Sequence, residues 1–258
     1  MKDIKVLVAT HKRYRMPEDK MYLPVHVGAA GKRDEEGNPL DFGIQRDDTG
    51  DNISHKNYCY CELTAAYWAW KNLNSDFIGL VHYRRHFRGK LIGKKFSKIL
   101  TGAQADKLLG DYKVLLPKKR HYFIESNRSQ YIHAHHREGL ELTEKVIGEF
   151  YPAYSASFKI VMDRTCGHRF NMFIMRRDIF ESYCTWLFGV LSEVEKRLDI
   201  TGWDPVEQRV FGYLAERLLD VWLLKNNVKY RDIPYMFMEK QHWFKKIFAF
   251  VARKFGRT

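Results

Sequence analysis

Residues 51–87 read DNISHKNYCYCELTAAYWAWKNLNSDFIGLVHYRRHF, a polar start, an aromatic helical pattern, a short apolar run and then a burst of His and Arg. Cys59, Leu63, Ala66 and Trp70 recur three and four apart, so the spacing predicts a helix over 56–72 with Ser54 as its N-cap. FIGLV over 77–81 is short and wholly apolar, as a strand buried on both faces is. His82, Tyr83, Arg84 and Arg85 follow it at once. In open parallel sheets ligands bind beyond the carboxyl ends of strands, so this order predicts an α/β fold with a site at the strand end.

The rest of the chain repeats that arrangement. KVLVAT over 5–10 is a buried first strand that delivers Thr10, His11, Lys12 and Arg13 to its end. A second apolar run, 23–27, ends in Gly28-Ala29-Ala30-Gly31, where small residues let backbone approach a ligand. KVLL over 113–116 closes on Pro117 and the basic run Lys118-Lys119-Arg120-His121. Helical patterns are expected over 131–149, 178–197 and 206–225, a loop with a short strand over 151–175, and a last strand over 228–233. Strands alternating with helices predict α/β architecture with mainly parallel pairing.

Composition narrows the function classes. With 258 residues, 45% hydrophobic and 15% aromatic, the chain can bury a sizeable core, which excludes disorder. Its net charge of +13 favours anionic partners: nucleic acid, an anionic membrane face or a phosphorylated small molecule. Cys59, Cys61, Cys166 and Cys184 form neither a disulfide scaffold nor a Cys-x-x-Cys site, so a reducing cytoplasm is expected. MKDIKVLVAT does not read as a signal peptide, and no apolar run reaches the ~18 residues of a membrane span.

Several groups carry chemistry. Arg84 and Arg85 offer forked donors to phosphate oxygens, and His82 and Tyr83 can hydrogen-bond or stack on a base or sugar; the plain alternative is a solvated basic turn. Asp51, Asn52, Ser54, Lys56 and Asn57 open the first helix, where free N–H groups favour an anion, and Glu62 lies one turn on. Tyr67, Trp68 and Trp70 read as core. Cys166-Gly167-His168-Arg169-Phe170-Asn171 precedes a strand and can bring His168, Arg169 and Asn171 to the same cleft; Cys166 itself is expected to be a neutral thiol. His121, His133, His135, His136 and His168 lack a metal-ligand spacing, and no Asp-x-Asp occurs, so no metal site is assigned. Asp204, with Pro205 after it, reads equally as a helix cap or as a general base, with Glu207 behind it.

The C-terminal residues differ in pattern. Trp243, Phe244, Ile247, Phe248, Val251 and Phe255 fall on one helical face, and Lys245, Lys246, Arg253 and Arg257 largely on the other. Two readings stay open: an interfacial helix on anionic lipid, or an amphipathic helix packed on the domain.

The blocks KVLVATHKRYRMP, YLPVHVGAA, GDNISHKNYCYCELTAAYWAWKN, IGLVHYRRHF and CGHRFNMFIMRRDIF resemble a bacterial family from capsule and exopolysaccharide clusters, domain of unknown function 4422, described as glycosyltransferases. The resemblance runs from Lys5 to about Leu224. It implies a GT-A-like, Rossmann-type sheet flanked by helices, in one domain over 1–238 with a nucleotide part to about 120 and an acceptor part beyond it, followed by a basic amphipathic tail over 239–258. It also implies transfer of a hexose, galactose or galactofuranose, from a UDP-sugar to a hydroxyl of a lipid-linked surface polysaccharide at the inner membrane face.

For that chemistry Arg84 and Arg85 would replace a metal as counter-charge for the diphosphate, with Mn²⁺ or Mg²⁺ the alternative. Lys12, Arg13, Lys56 and Arg169 are further cations, His11 and Asp51 contacts for the nucleoside, and Gly28 part of the donor site. The base would be Asp204, then Glu207 or Asp163. The competing readings are a non-catalytic nucleotide-sugar-binding module and a nucleic-acid-binding protein; the scatter of Lys and Arg and the lack of a nucleic-acid motif argue against the second.

Overall fold

Along the first apolar run Ile4, Val6 and Val8 join one buried cluster while Leu7 and Ala9 join another, because successive side chains of a strand face opposite ways. A computed structural model, which describes residues 2–239, shows that both clusters are large and that a sheet divides them. In chain order the strands and helices are β1 (Ile4–Thr10), β2 (Tyr22–His26), β3 (Gln45–Arg46), α1 (Asn57–Tyr60), α2 (Leu63–Asn72), β4 (Phe77–His82), β5 (Arg85–Phe87), α3 (Gly102–Asp111), β6 (Val114–Pro117), β7 (Arg120–His121), α4 (Asn127–Ala134), α5 (Arg137–Phe150), α6 (Ser155–Asp163), β8 (Cys166–Gly167), β9 (Phe173–Arg176), α7 (Arg177–Glu195), α8 (Val210–Lys225), β10 (Arg231–Ile233) and β11 (Tyr235–Phe237).

The main sheet runs β10-β6-β9-β4-β1-β2-β3. β1 pairs parallel with β2 and β4, β2 with β3, and β6 with β10. β9 is antiparallel to both β4 and β6, so those two strands still point the same way. The carboxyl ends of β1, β2, β4 and β6 therefore share one edge of the sheet, as the mainly parallel α/β expectation requires. β5 turns back from β4 and pairs with β11 at that same edge.

α1, α2 and α5–α8 build the larger cluster on one face, around Phe158, Phe180, Trp186, Phe211 and Leu218. α3, with Met21, Phe87, Ile99 and Leu100, covers the other. No helix among the described residues is long and apolar enough to cross a membrane.

Five local readings change, one of them the expected helix over 131–149, which is two helices, α4 and α5, parted by extended backbone at His135 and His136. The expected helix over 56–72 is broken at Cys61, whose φ is +55°, into α1 and α2. Its Ser54 is not an N-cap; the hydroxyl donates to Asp47 instead. The expected loop over 151–169 contains α6, which buries Phe158, Val161 and Met162 at helical spacing. The last strand is short, and β11 follows it unforeseen. The amphipathic tail expected at the C-terminus lies outside the described residues from 240 onward.

Candidate functional site

The loop after β2 is held from below by a buried carboxylate. Asp47 is fully buried and accepts hydrogen bonds from the backbone N–H groups of Gly28 (2.9 Å) and Ala29 (3.1 Å) and from the hydroxyls of Ser54 (2.5 Å) and Thr64 (2.6 Å). Ser54 Oγ accepts in turn from Ala30 N. Gly28 adopts φ +65°, and a Cβ there would lie 2.6 Å from Asn57 Oδ1, so both conformation and space demand glycine. Ser54 and Asn57 thus brace the loop from behind, and Gly28 lets it close.

Beside it, β1 ends in a turn that Thr10 makes, its hydroxyl donating to Lys12 O at 2.7 Å. Tyr83 N donates to Ala9 O, and the Tyr83 ring meets the rings of His11 and Tyr14 edge-on at 5.4 and 4.8 Å. Tyr83 and Arg84 form the two-residue turn between His82 and Arg85, which pair across β4 and β5. Lys12 lies 5.2 Å and Arg84 5.8 Å from the Tyr83 ring. Burial first, then the charges of Lys12, Arg84, Arg209 and His82, lower the His11 pKa. Cations from three separate segments therefore converge on one place.

Arg85 differs from its neighbour. Its guanidinium lies 3.9 Å from the Phe170 ring centre and 5.1 Å from that of Phe237, and its Nε is buried with no partner among the described residues. Burial lowers its pKa, with Glu62 and Glu216 opposing. Arg84 is the exposed member of the pair, free to meet an anion from solution.

The floor of the cleft is acidic. Glu62, buried at the N-terminal end of α2, has its Oε1 3.4 Å from His82 Nε2 and accepts from Asn171 Nδ2 at 2.7 Å. Burial alone would push this carboxyl up, but His82 and Asn171 outweigh it and hold it at about 2. His82 Nε2 also lies 3.2 Å from the Phe170 carbonyl, which can only accept, so Nε2 carries the proton. Nδ1 has no partner among the described residues.

Arg209, just before α8, donates through Nε to Cys61 Sγ at 3.1 Å. Burial and the Glu62 charge push that thiol up to about 12, so Cys61 is a neutral partner and not a nucleophile. Sequence reasoning did not single out Arg209 as a site residue; its only signal was its place at a helix start.

Asn171 reaches the cleft because the segment before β9 is clamped. His168 is fully buried between Asp220 (Nδ1 to Oδ1, 2.5 Å) and Asp232 (Nε2 to Oδ1, 2.9 Å), and the two carboxylates raise its pKa against the effect of burial. Arg169 is buried and donates to Tyr122 OH, His168 O and Asn127 Oδ1. Phe170 and Asn171 then adopt φ +77° and +49°, unusual for residues with side chains, and Phe170 N donates to Glu216 Oε1 at 3.0 Å. Two consecutive left-handed residues aim Asn171 at Glu62. His168 and Arg169 thus position the cleft and are not exposed in it.

The remaining sequence candidates lie apart from this cluster. Asp51 bonds with Asn72 and Tyr67, at the far end of α2 from Glu62, roughly 14 Å along the helix. Asn52 bonds back to Gly50 O, and Lys56 pairs with Glu195 at 2.8 Å. Asp204 is exposed and its Oδ1 accepts from Val206 N and Glu207 N, the work of a cap. Glu207 faces His135 at 3.3 Å and the His136 N–H. Asp163 is exposed at the last turn of α6.

Among the described residues no group of three His, Cys, Asp or Glu side chains is arranged to hold a metal ion. A divalent cation beside Glu62 would meet His82 and Arg209 rather than a second carboxylate, so these residues do not fit one. The arrangement fits instead a ligand with a polyanionic part at Lys12, Arg84 and Arg209 and hydroxyls near His82, Glu62 and Asn171.

Residues 5–227 match the family described as "Domain of unknown function (DUF4422)". A solved structure described as the apo form of the WbbM bifunctional glycosyltransferase is similar to this chain at 31% identity and a TM-score of 0.84, covering 92% of this chain and 46% of that one. This chain therefore spans about half the length of that neighbour. No curated protein matches.

Proposed function

The chain belongs to the DUF4422 family, and from that membership and the likeness to a bifunctional glycosyltransferase we propose that it catalyses glycosyl transfer. The donor is a UDP-sugar carrying a hexose, galactose or galactofuranose, and the acceptor a hydroxyl of a growing lipid-linked surface polysaccharide. Because the neighbour is described as bifunctional and this chain spans 46% of it, a single transfer reaction is assigned here. The observation that carries the reading is the cation cluster of Lys12, Arg84 and Arg209 around His11 at the carboxyl edge of the sheet.

The transfer breaks the bond between the anomeric carbon and the diphosphate and forms one to the acceptor oxygen. Negative charge grows on the departing phosphate oxygen, and Arg84, Lys12 and Arg209 stabilise it. His11 and Tyr83 supply ring faces and edges for the nucleoside. The acceptor proton goes to His82 Nδ1, with Glu62 balancing the imidazolium that forms. Asp204, Glu207 and Asp163 remain alternative bases, but the partners of Asp204 and Glu207 favour capping and an ion pair.

The test is thermal stabilisation by UDP followed by turnover of a UDP-hexose panel with lipid-linked acceptors. Release of UDP coupled to acceptor glycosylation is expected. Stabilisation without turnover on any acceptor would favour a non-catalytic binding module, and steeply salt-dependent oligonucleotide binding without turnover would favour a nucleic-acid protein.

A further inference from the structure

Leu91 and Ile92 are 75% and 89% exposed, at the tip of a loop over 88–98 whose sequence is RGKLIGKKFSK. Adjacent exposed aliphatic residues have a cost in water that scattered single ones share out over the surface. Lys90, Lys94, Lys95 and Lys98 surround them in sequence, and no acidic residue occurs between Asp76 and Asp106.

The loop is pinned at its base. Gly89 N and Lys90 N donate to Lys98 O, Arg88 bridges to Ile99, and Arg88 N donates to Pro234 O. Gly93 turns the tip with φ +119°, where a Cβ would lie 2.6 Å from Ser97 Oγ, and the Ser97 hydroxyl donates to Lys94 O. The Arg15 guanidinium sits 4.3 Å from the Phe96 ring centre. A closed base with an apolar tip in a lysine collar suits insertion into a bilayer face: the tip enters the acyl boundary and the ammonium groups stay among anionic headgroups.

Where the loop sits strengthens that choice of partner. Lys95 Nζ donates to Met238 O at 3.0 Å, so the loop touches the point from which the chain continues into 240–258. That continuation carries Trp243, Phe244, Phe248 and Phe255 among lysines and arginines, with no acidic residue. Two segments of the same basic and apolar composition start from one corner of the molecule. An acidic protein groove would explain the lysines but leaves that shared composition without a reason.

We infer that the 88–98 loop docks the protein on an anionic bilayer through Leu91 and Ile92. Its purpose, bringing the cleft to a lipid-linked acceptor, rests on the proposed glycosyl transfer; its physics does not.

The experiment uses the full chain with Ile92→Cys carrying an environment-sensitive fluorophore, the wild type controlling for label on the native cysteines, of which Cys59, Cys61 and Cys184 are buried. On phosphatidylglycerol-containing vesicles the emission should shift to the blue; on pure phosphatidylcholine it should not. Leu91→Gln with Ile92→Gln should weaken partition into the anionic vesicles by about tenfold. A label that stays in water while the protein binds, a double variant that partitions like the wild type, equal partition into both lipids, or no binding would each overturn the inference. Turnover on a soluble acceptor, measured alongside, reads the catalytic proposal separately: its absence leaves the vesicle result standing.

Discussion

Glu62 and His82 meet at 3.4 Å, a helix start and a strand end joined at the one place where the sheet edge, α2 and the residues before β9 converge. The Phe170 carbonyl fixes the proton on His82 Nε2, and Glu62 lies on the same nitrogen. Glu62→Gln and His82→Gln should each lower kcat by about 10²–10³-fold with a smaller change in donor KM. Because the two act as a pair, the double variant should lose little more than either single one. Steady-state kinetics on the four proteins checks both points, and additive losses would separate the residues.

Arg84→Ala should weaken UDP binding by about 10–100-fold, the value of one or two charge-assisted hydrogen bonds. Arg84→Lys should recover part of that, since charge returns without the fork. Thermal shift and calorimetry with UDP measure the change. With side chains as counter-charge, turnover should persist in EDTA; activity lost to the chelator and restored by Mn²⁺ would return that role to a metal.

Asp47→Ala should destabilise the fold by about 3–5 kcal/mol, because two backbone N–H groups and two hydroxyls would lose their acceptor in a buried place. Asp47→Asn should cost less, since it keeps one acceptor oxygen. Chemical denaturation compares the two, and a loss below about 1 kcal/mol for the alanine variant would contradict the bracing role.

Asp204→Ala should cost about 1 kcal/mol, the usual value of a helix cap, and leave kcat within about twofold. Urea denaturation and initial rates measured on one preparation decide it. A 10²-fold or larger loss of kcat without loss of stability would make Asp204 the base.

Two buried histidines set opposite pH limits. Burial holds His86 down to about 4, so as pH falls from 6.5 toward 4 the unfolded chain takes a proton that the folded one refuses. Stability should drop by up to about 3 kcal/mol across that window. His168 is raised by Asp220 and Asp232, so its contribution is full below 6.5 and fades as pH rises through its folded value. Melting temperature against pH should lose part of its slope between 6.5 and 4 in His86→Gln, the remainder belonging to His11 and the depressed carboxylates, and part of its alkaline slope in His168→Gln.

Much of the fold was legible because burial has a one-dimensional signature. The apolar runs of β1, β2, β4 and β6, each ending in polar or small residues, identify strands and the edge where a ligand would sit. β9 also reads as apolar, but nothing in its pattern says that it runs antiparallel between β4 and β6. α6 carries a helical period in Phe158, Val161 and Met162, but the short run between two loop-like stretches hides it. At the site, His82, Arg84, Glu62 and Asn171 are visible as polar residues at element ends, whereas Asp47 looks like one more acid of a polar loop. Its partners Gly28 and Thr64 lie on either side of it in the chain, and only folding brings them together.

By itself the sequence determined the layers, the parallel sense of the first strands and the basic character of their carboxyl edge, because hydrophobic period and charge are properties of neighbours along the chain. The tertiary structure decided which charges are free. It committed Lys56 to Glu195, Arg169 to Asn127 and Tyr122, and left Arg84 exposed beside Lys12. It also turned Cys61 and Phe170 into left-handed conformations that no local propensity favours, since the hydrogen bonds and burial gained by distant partners outweigh the local strain.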